Sequence, residues 1–210
     1  MQVIAPHLTA DVAVGRSGLA AALRDRAWTI GLALLGLALN LELALGGDSI
    51  AQALQWRPGA PWWTLLTSHM VHLNWRHFLM DVGVLVALGL SVEPVARRRM
   101  LRTLLAGALA IGAWVVLVER MPYRGLSGLD NVLWGLAIMC ALREGAFGRW
   151  RAGWLLLGVL FKIGWEFSTG SLLWCPTLLG DNGVVLPSVH LLGLLVGLLG
   201  GLGHAAAPDS

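Results

Sequence analysis

The sequence is poor in charge and in cysteine. Only 13% of its 210 residues are charged, and 57% are hydrophobic, whereas an ordinary soluble domain carries about 25% charge. The mean hydropathy is +0.71. Its two cysteines, Cys140 and Cys175, form no CxxC motif, which argues against a zinc site or a redox pair. The shortage of charge excludes a typical soluble domain and favours lipid as the solvent.

Six apolar runs follow one another along the chain. A helix needs roughly 20 mostly apolar residues to cross a bilayer, and six such spans leave no room for a separate soluble domain. The runs cover residues 28–45, 77–92, 101–118, 127–142, 152–170 and 185–203. The sequence therefore predicts an all-α membrane protein with six transmembrane helices. We expect a tail at 1–26, one membrane domain at 27–204 and a second tail at 205–210.

Basic residues alternate between the connections of this predicted topology. Ten lie in the N-terminal tail and in the second and fourth connections, whereas four lie in the other connections. Cytoplasmic loops are enriched in Lys and Arg. The pattern predicts that both termini are cytoplasmic.

Polar side chains inside spans are costly and often functional. Ser127 opens the fourth run, and His190 lies a few residues into the sixth. Both runs are predicted to cross from outside to inside, so at 1.5 Å per residue the two side chains fall at similar depth in the outer third of the bilayer. A serine needs a base within hydrogen-bond reach to become a nucleophile, and this arrangement permits one.

Glycines near these residues predict close helix contacts. Gly193 and Gly197 share a helical face with His190, at spacings of 3 and 4 residues, and Gly128 offers a small surface on the fourth run. Small residues at such spacing let two helix backbones approach. We therefore expect the fourth and sixth helices to pack together.

Other polar residues have simpler interpretations. Lys162 and Glu166 are four residues apart, which predicts an ion pair within one helix. An ion or solute pathway using these residues and Asp130 is an alternative, although no internal repeat supports it. Asn40 is interpreted as reaching the membrane interface.

A group of histidines precedes and enters the second run, and it raises the question of zinc. The group comprises His69, His72 and His77, with Asp81 four residues after His77. No HExxH motif is present, and no carboxylate stands at a metalloprotease spacing. We therefore expect no metal.

Three motifs, which follow the chain in the same order as in that family, resemble the rhomboid family of intramembrane serine proteases. Residues 125–128 match the GxSG motif of the family, and residues 190–197 match its HxxGxxxG pattern. His72, His77 and Asp81 follow the spacing of its HxxxxHxxxN motif. The resemblance covers residues 28–203 and implies a six-transmembrane-helix rhomboid bundle.

The resemblance implies a role for each matched residue. Ser127 would be the nucleophile and His190 the general base, a dyad without an acid and without a cofactor. His77 and Asp81 would help to bind the oxyanion, although the family has an amide where this sequence has Asp81. Glycines of the motifs would pack the helices near the site: Gly125, Gly128, Gly193 and Gly197.

The stretch 65–77 is most similar to the rhombosortase subgroup. The subgroup implies a bacterial inner-membrane protease that cleaves transmembrane substrates near the periplasmic face, including proteins with a C-terminal Gly-Gly anchor signal. It implies no nucleic-acid partner. The alternative is an inactive rhomboid-like protein that binds transmembrane helices, which is favoured by Asp81 and by Asn131, where many rhomboids carry an aromatic residue.

Overall fold

The computed structural model describes residues 18–173, 178–180 and 183–202, and its regular elements there are helical. This confirms the all-α prediction for the described part of the chain. Residues 18–24 form a short helical segment. The later elements are α1 (Ala27–Ala44), α2 (Ser49–Leu54), α3 (Thr64–Thr67), a 3₁₀ turn (Ser68–Met70), α4 (Trp75–Trp114), a π-helical turn (Val115–Glu119), α5 (Ser127–Ala141), α6 (Gly145–Thr169) and α7 (Pro187–Leu202). The predicted C-terminal tail and most of the predicted N-terminal tail lie outside the described residues.

The second and third apolar runs lie in α4 and the π-helical turn that follows it, and α4 folds back on itself. Pro94 lies inside α4, where it lacks a backbone donor, and Ala96 has non-helical angles of φ −150° and ψ 36°. A straight helix of this length would measure about 60 Å. Yet His77 near its start and Ile111 near its end both lie against residues 125–128. The two halves of α4 therefore form a hairpin whose ends meet at the start of α5.

The apolar helices indicate a membrane protein. Among the described residues, two segments are long and apolar enough to cross a bilayer, Ala27–Ala44 and Trp75–Glu119, and the apolar helices α5 and α7 are shorter. Large apolar side chains on several helices point away from the protein, including Leu34, Leu109 and Leu157. A surface of this kind suits a hydrocarbon solvent. The count of six spans stays a prediction.

Helix α5 lies at the centre of the bundle and touches α7 closely. A Cβ atom added at Gly193 would collide with the Gly128 carbonyl oxygen, and one added at Gly197 would collide with that of Val132. Since glycine has no side chain, the two backbones approach as helices with small residues do. This contact fixes the start of α7 beside the start of α5.

A buried carboxylate holds the start of α1 against α4. Both Glu93 oxygens accept backbone hydrogen bonds, from the N–H of Trp28 at 3.0 Å and of Thr29 at 2.8 Å. These N–H groups belong to the first turn of α1, where a helix has no internal acceptors. Arg97 Nε lies 3.5 Å from Glu93. Glu93 therefore caps a helix that is distant in sequence.

Replacing Glu93 by Gln is expected to lower the free energy of unfolding by about 2 kcal/mol, because a buried donor would lose its charged acceptor. The amide keeps the size of the side chain but turns an NH₂ group towards one of the two backbone N–H groups. Reversible unfolding in mixed micelles measures the change. Glu144→Gln is the control, since the Glu144–Arg151 pair is largely exposed and such pairs contribute under about 1 kcal/mol. Equal losses in the two variants would contradict the capping role.

Candidate active site

Ser127 lies at the first position of α5, and a glycine conformation places it there. Gly125 has φ +137°, which side-chain-bearing residues rarely adopt. Its N–H donates to the Ser68 carbonyl at 3.0 Å. A Cβ atom at Gly125 would lie only 3.2 Å from His77 Cε1. The motif at residues 125–128 thus forms a tight backbone turn, which leads directly into the helix that carries the serine.

His190 reaches Ser127 from the first turn of α7. Pro187 opens this helix, a position where its missing N–H costs no internal bond. His190 Nε2 lies 2.9 Å from Ser127 Oγ, and the imidazole is only 3% exposed. The structure thus brings together two side chains that are 63 residues apart in sequence.

Glu166 on α6 contacts the other side of the His190 ring. Its Oε2 lies 2.7 Å from His190 Nδ1, and its Oε1 lies 2.9 Å from Lys162 Nζ. The ion pair expected from the i, i+4 spacing is therefore present. The contact with His190 escaped the sequence analysis, because pairing with Lys162 already accounted for the carboxylate.

Asp81 lies between two imidazoles. Its Oδ2 is 3.2 Å from both His72 Nε2 and His77 Nε2. His77 Nδ1 is buried and has no hydrogen-bond partner among the described residues. One nitrogen of His77 therefore contacts Asp81, and neither Asp81 Oδ2 nor His77 Nδ1 has a hydrogen-bond partner among the described residues.

Asn40 is fully buried at 0% exposure, so its expected place at the membrane interface was wrong. Its amide nitrogen donates to the carbonyl oxygens of Gly36 and Met70, both at 2.7 Å. The amide oxygen therefore faces His72 Nδ1, at 3.1 Å. Because an amide oxygen only accepts hydrogen bonds, His72 donates from Nδ1.

His72 in turn positions the residue before the serine. The backbone N–H of Leu126 donates to His72 Nε2 at 3.2 Å. His69 is also fully buried, and its Nε2 lies 3.3 Å from the Ala108 carbonyl oxygen. These two histidines hold backbone groups, and no group of three or more metal-binding side chains occurs in the part of the chain that the structure describes.

A cavity of about 170 Å³ opens onto Ser127, His190 and His77. Gln55 and Arg124 also line it, together with apolar residues of the segment that precedes α7. Arg124 is anchored by two contacts with the Asp48 carboxylate, at 2.7 and 3.3 Å. Asn131 does not line the cavity wall; its amide donates to the Ser127 carbonyl at 2.7 Å. A hydroxyl next to a histidine, facing a cavity, suits nucleophilic attack on a carbonyl carbon.

Comparison with known proteins supports the family resemblance. The model of the Rhomboid domain family matches residues 59–206 of the chain. This range contains α3 to α7, and with them the serine, both histidines that line the cavity, and Glu166. Helix α1 and Asn40 precede the matched range. No curated protein matches the chain.

Proposed function

Because the chain belongs to the rhomboid family, we propose that it is an intramembrane serine protease with Ser127 as nucleophile and His190 as general base. Proteins of this family are generally intramembrane serine proteases that act on transmembrane substrates within the bilayer. The observation that carries the residue assignment is the 2.9 Å contact between Ser127 Oγ and His190 Nε2 at the cavity. It supports transfer of the hydroxyl proton to the imidazole, which activates a serine.

Acylation would follow from this proton transfer. Ser127 Oγ forms a bond to the scissile carbonyl carbon while its proton moves to His190 Nε2. When the C–N bond breaks, the same proton goes to the leaving amine, and an acyl-serine remains. Water then gives a proton to His190 and attacks the ester; as the ester C–O bond breaks, His190 returns that proton to Ser127 Oγ, which releases the acid product and restores the serine.

The oxyanion formed in each step would be stabilised from two sides. Ser127 and Gly128 open α5, so their backbone N–H groups have no acceptor within the helix and lie at its positive end. His77 also lines the cavity, and its Nδ1 has no partner among the described residues. Donors aimed at developing charge in a site that excludes water are a large source of rate acceleration.

Asp81 would act through His77. It stands where the family has an amide, yet its Oδ2 lies 3.2 Å from His77 Nε2, and Asp81 is absent from the cavity lining. Because a neutral imidazole carries one N–H, Nδ1 can donate to the oxyanion while Nε2 faces the carboxylate only if both nitrogens carry a hydrogen, and a carboxylate in that place would stabilise that charged ring. This removes the difficulty of a negative charge facing an oxyanion.

The proposed substrates are transmembrane proteins with a C-terminal Gly-Gly anchor, as in the rhombosortase subgroup. A helix hides its backbone, so a substrate must unwind before Ser127 reaches its carbonyl carbon. Glycines are unfavourable in helices, which lowers the cost of unwinding. The proposed location is the bacterial inner membrane, with both termini cytoplasmic and the cavity near the periplasmic face.

The second candidate is an inactive rhomboid-like protein that binds transmembrane helices. It is motivated by Asp81 and Asn131, which depart from the family pattern. The two candidates differ in the chemistry of Ser127, because only a serine with a functioning base reacts readily with a phosphonylating reagent.

We expect a fluorophosphonate probe to label the purified protein at Ser127 within minutes. Mass spectrometry of the labelled peptide identifies the site. Labelling should vanish in Ser127→Ala and persist in Ser168→Ala, where an exposed hydroxyl bonds only to its own helix. A protein that is folded and monodisperse but stays unlabelled would support the helix-binding candidate.

A further inference from the structure

The geometry points to Glu166 as a positioning residue that makes His190 a competent base, so that Ser127, His190 and Glu166 act as a triad. This inference rests on the proposed protease function and adds a member to its site. The Glu166 Oε2–His190 Nδ1 distance of 2.7 Å is shorter than the 2.9 Å between His190 Nε2 and Ser127 Oγ. The three side chains come from α6, α7 and α5.

The contact determines which nitrogen of His190 carries the hydrogen. Glu166 is paired with the Lys162 ammonium at 2.9 Å, and a carboxylate only accepts hydrogen bonds. His190 Nδ1 must therefore carry a hydrogen and donate it to Glu166. In the neutral ring Nε2 is then the free acceptor, and it is the atom that faces Ser127. The opposite tautomer would present an N–H to the serine and could not take its proton.

Lys162 Nζ also lies 3.3 Å from His190 Nδ1, but it cannot serve as the partner of that atom. An ammonium has no acceptor, and Nδ1 already donates to Glu166. Lys162 therefore acts on Glu166, where it balances the buried negative charge.

Burial distinguishes this arrangement from a simple ion pair on a helix surface. Glu166 is 0% exposed, whereas the Lys162 side chain is 23% exposed. Glu166 shares the inward face of α6 with Val159 and Ile163. A buried charge is costly unless several partners satisfy it, and His190 is the second partner. Glu166 would also stabilise the imidazolium that forms when His190 accepts the serine proton, as the acid of a catalytic triad does.

Four variants test this role. In Glu166→Gln, Lys162 attracts the amide oxygen and leaves the NH₂ group facing His190 Nδ1, which favours the wrong tautomer. Lys162→Met removes the ion pair but leaves the Glu166–His190 contact. The double variant frees the amide to turn its oxygen towards Nδ1. Glu166→Asp keeps a carboxylate that is one methylene shorter.

We expect Glu166→Gln to lower kcat by about 10²- to 10⁴-fold with little change in KM. The double variant should recover part of that loss, Glu166→Asp should fall between Glu166→Gln and the wild type, and Lys162→Met should lose less activity than Glu166→Gln, because its Glu166 still contacts His190. The substrate is a fluorogenic transmembrane peptide with a Gly-Gly motif, in liposomes. Selective ¹⁵N-histidine NMR should find the hydrogen of His190 on Nδ1 in the wild type and on Nε2 in Glu166→Gln.

The outcomes separate this inference from the protease function. If the wild type is labelled at Ser127 and Glu166→Gln hydrolyses the peptide as fast as the wild type does, Glu166 has no positioning role. Equal losses in Glu166→Gln and Lys162→Met, with a further loss in the double variant, would also overturn it in favour of a structural ion pair. A wild type that is neither labelled at Ser127 nor able to hydrolyse the peptide overturns the protease function itself. The tautomer of His190 can still be measured in that case, because the NMR experiment does not depend on activity.

Discussion

Ser127→Ala and His190→Ala are each expected to lower the rate of substrate cleavage by about 10⁴- to 10⁶-fold, because neither group of such a pair functions without the other. Without the hydroxyl there is no acyl-enzyme, and without the imidazole the hydroxyl keeps its proton. The 2.9 Å contact between the two atoms is the physical basis of this expectation. Single-turnover cleavage of the Gly-Gly transmembrane peptide in liposomes measures the loss.

A variant that carries both substitutions tests whether Ser127 and His190 act as a unit. Ser127→Ala with His190→Ala should be no less active than Ser127→Ala alone, since residues that act as a unit give non-additive losses. Ser91→Ala is the control, because this exposed hydroxyl bonds only within α4. Cleavage of the peptide by the Ser127→Ala variant at the wild-type rate would contradict the proposed mechanism.

The same peptide tests the Gly-Gly specificity that the rhombosortase subgroup implies. A counterpart with Leu-Leu in place of Gly-Gly keeps its helix at the cleavage site and should be cleaved more slowly. Equal rates for the two peptides would leave the protease function intact and remove the Gly-Gly specificity.

The positions of the helices could be predicted from the sequence, because they depend on local composition. Each long apolar run is helical in the described residues. Pro94 and the arginines after it mark the place where α4 turns back. The approach of α5 and α7 was also foreseeable, since Gly193 and Gly197 share a face with His190. The structure leaves no room for a side chain at either glycine.

The contacts of Glu166 and Asn40 could not be predicted, for a common physical reason. Each depends on how one helix is rotated against another that is distant in sequence. Periodicity gives the buried face of α6, but not that this face meets His190. Asn40 is 32 residues from His72, and an amide near a helix end is equally compatible with the interface. An apparent local partner, such as Lys162 for Glu166, hides the need for a distant one.

The role of His77 gives the second large expected effect. His77→Ala should lower kcat by about 10²- to 10³-fold, as loss of one oxyanion donor typically does. KM should change little, because the charge appears only in the transition state. His77 takes no part in the Ser127–His190 contact, so fluorophosphonate labelling, although slower, should still occur.

Asp81→Asn is the matched variant that tells how His77 is held. If Asp81 supports the charged ring from behind, an amide leaves that ring without its countercharge, and kcat should fall, by no more than the about 10²- to 10³-fold loss expected for His77→Ala. If residue 81 instead faced the oxyanion, removing its negative charge and adding a donor would raise kcat above that of the wild type. The 3.2 Å contact between Asp81 Oδ2 and His77 Nε2 favours the first result, and a rise would reassign the oxyanion site to residue 81.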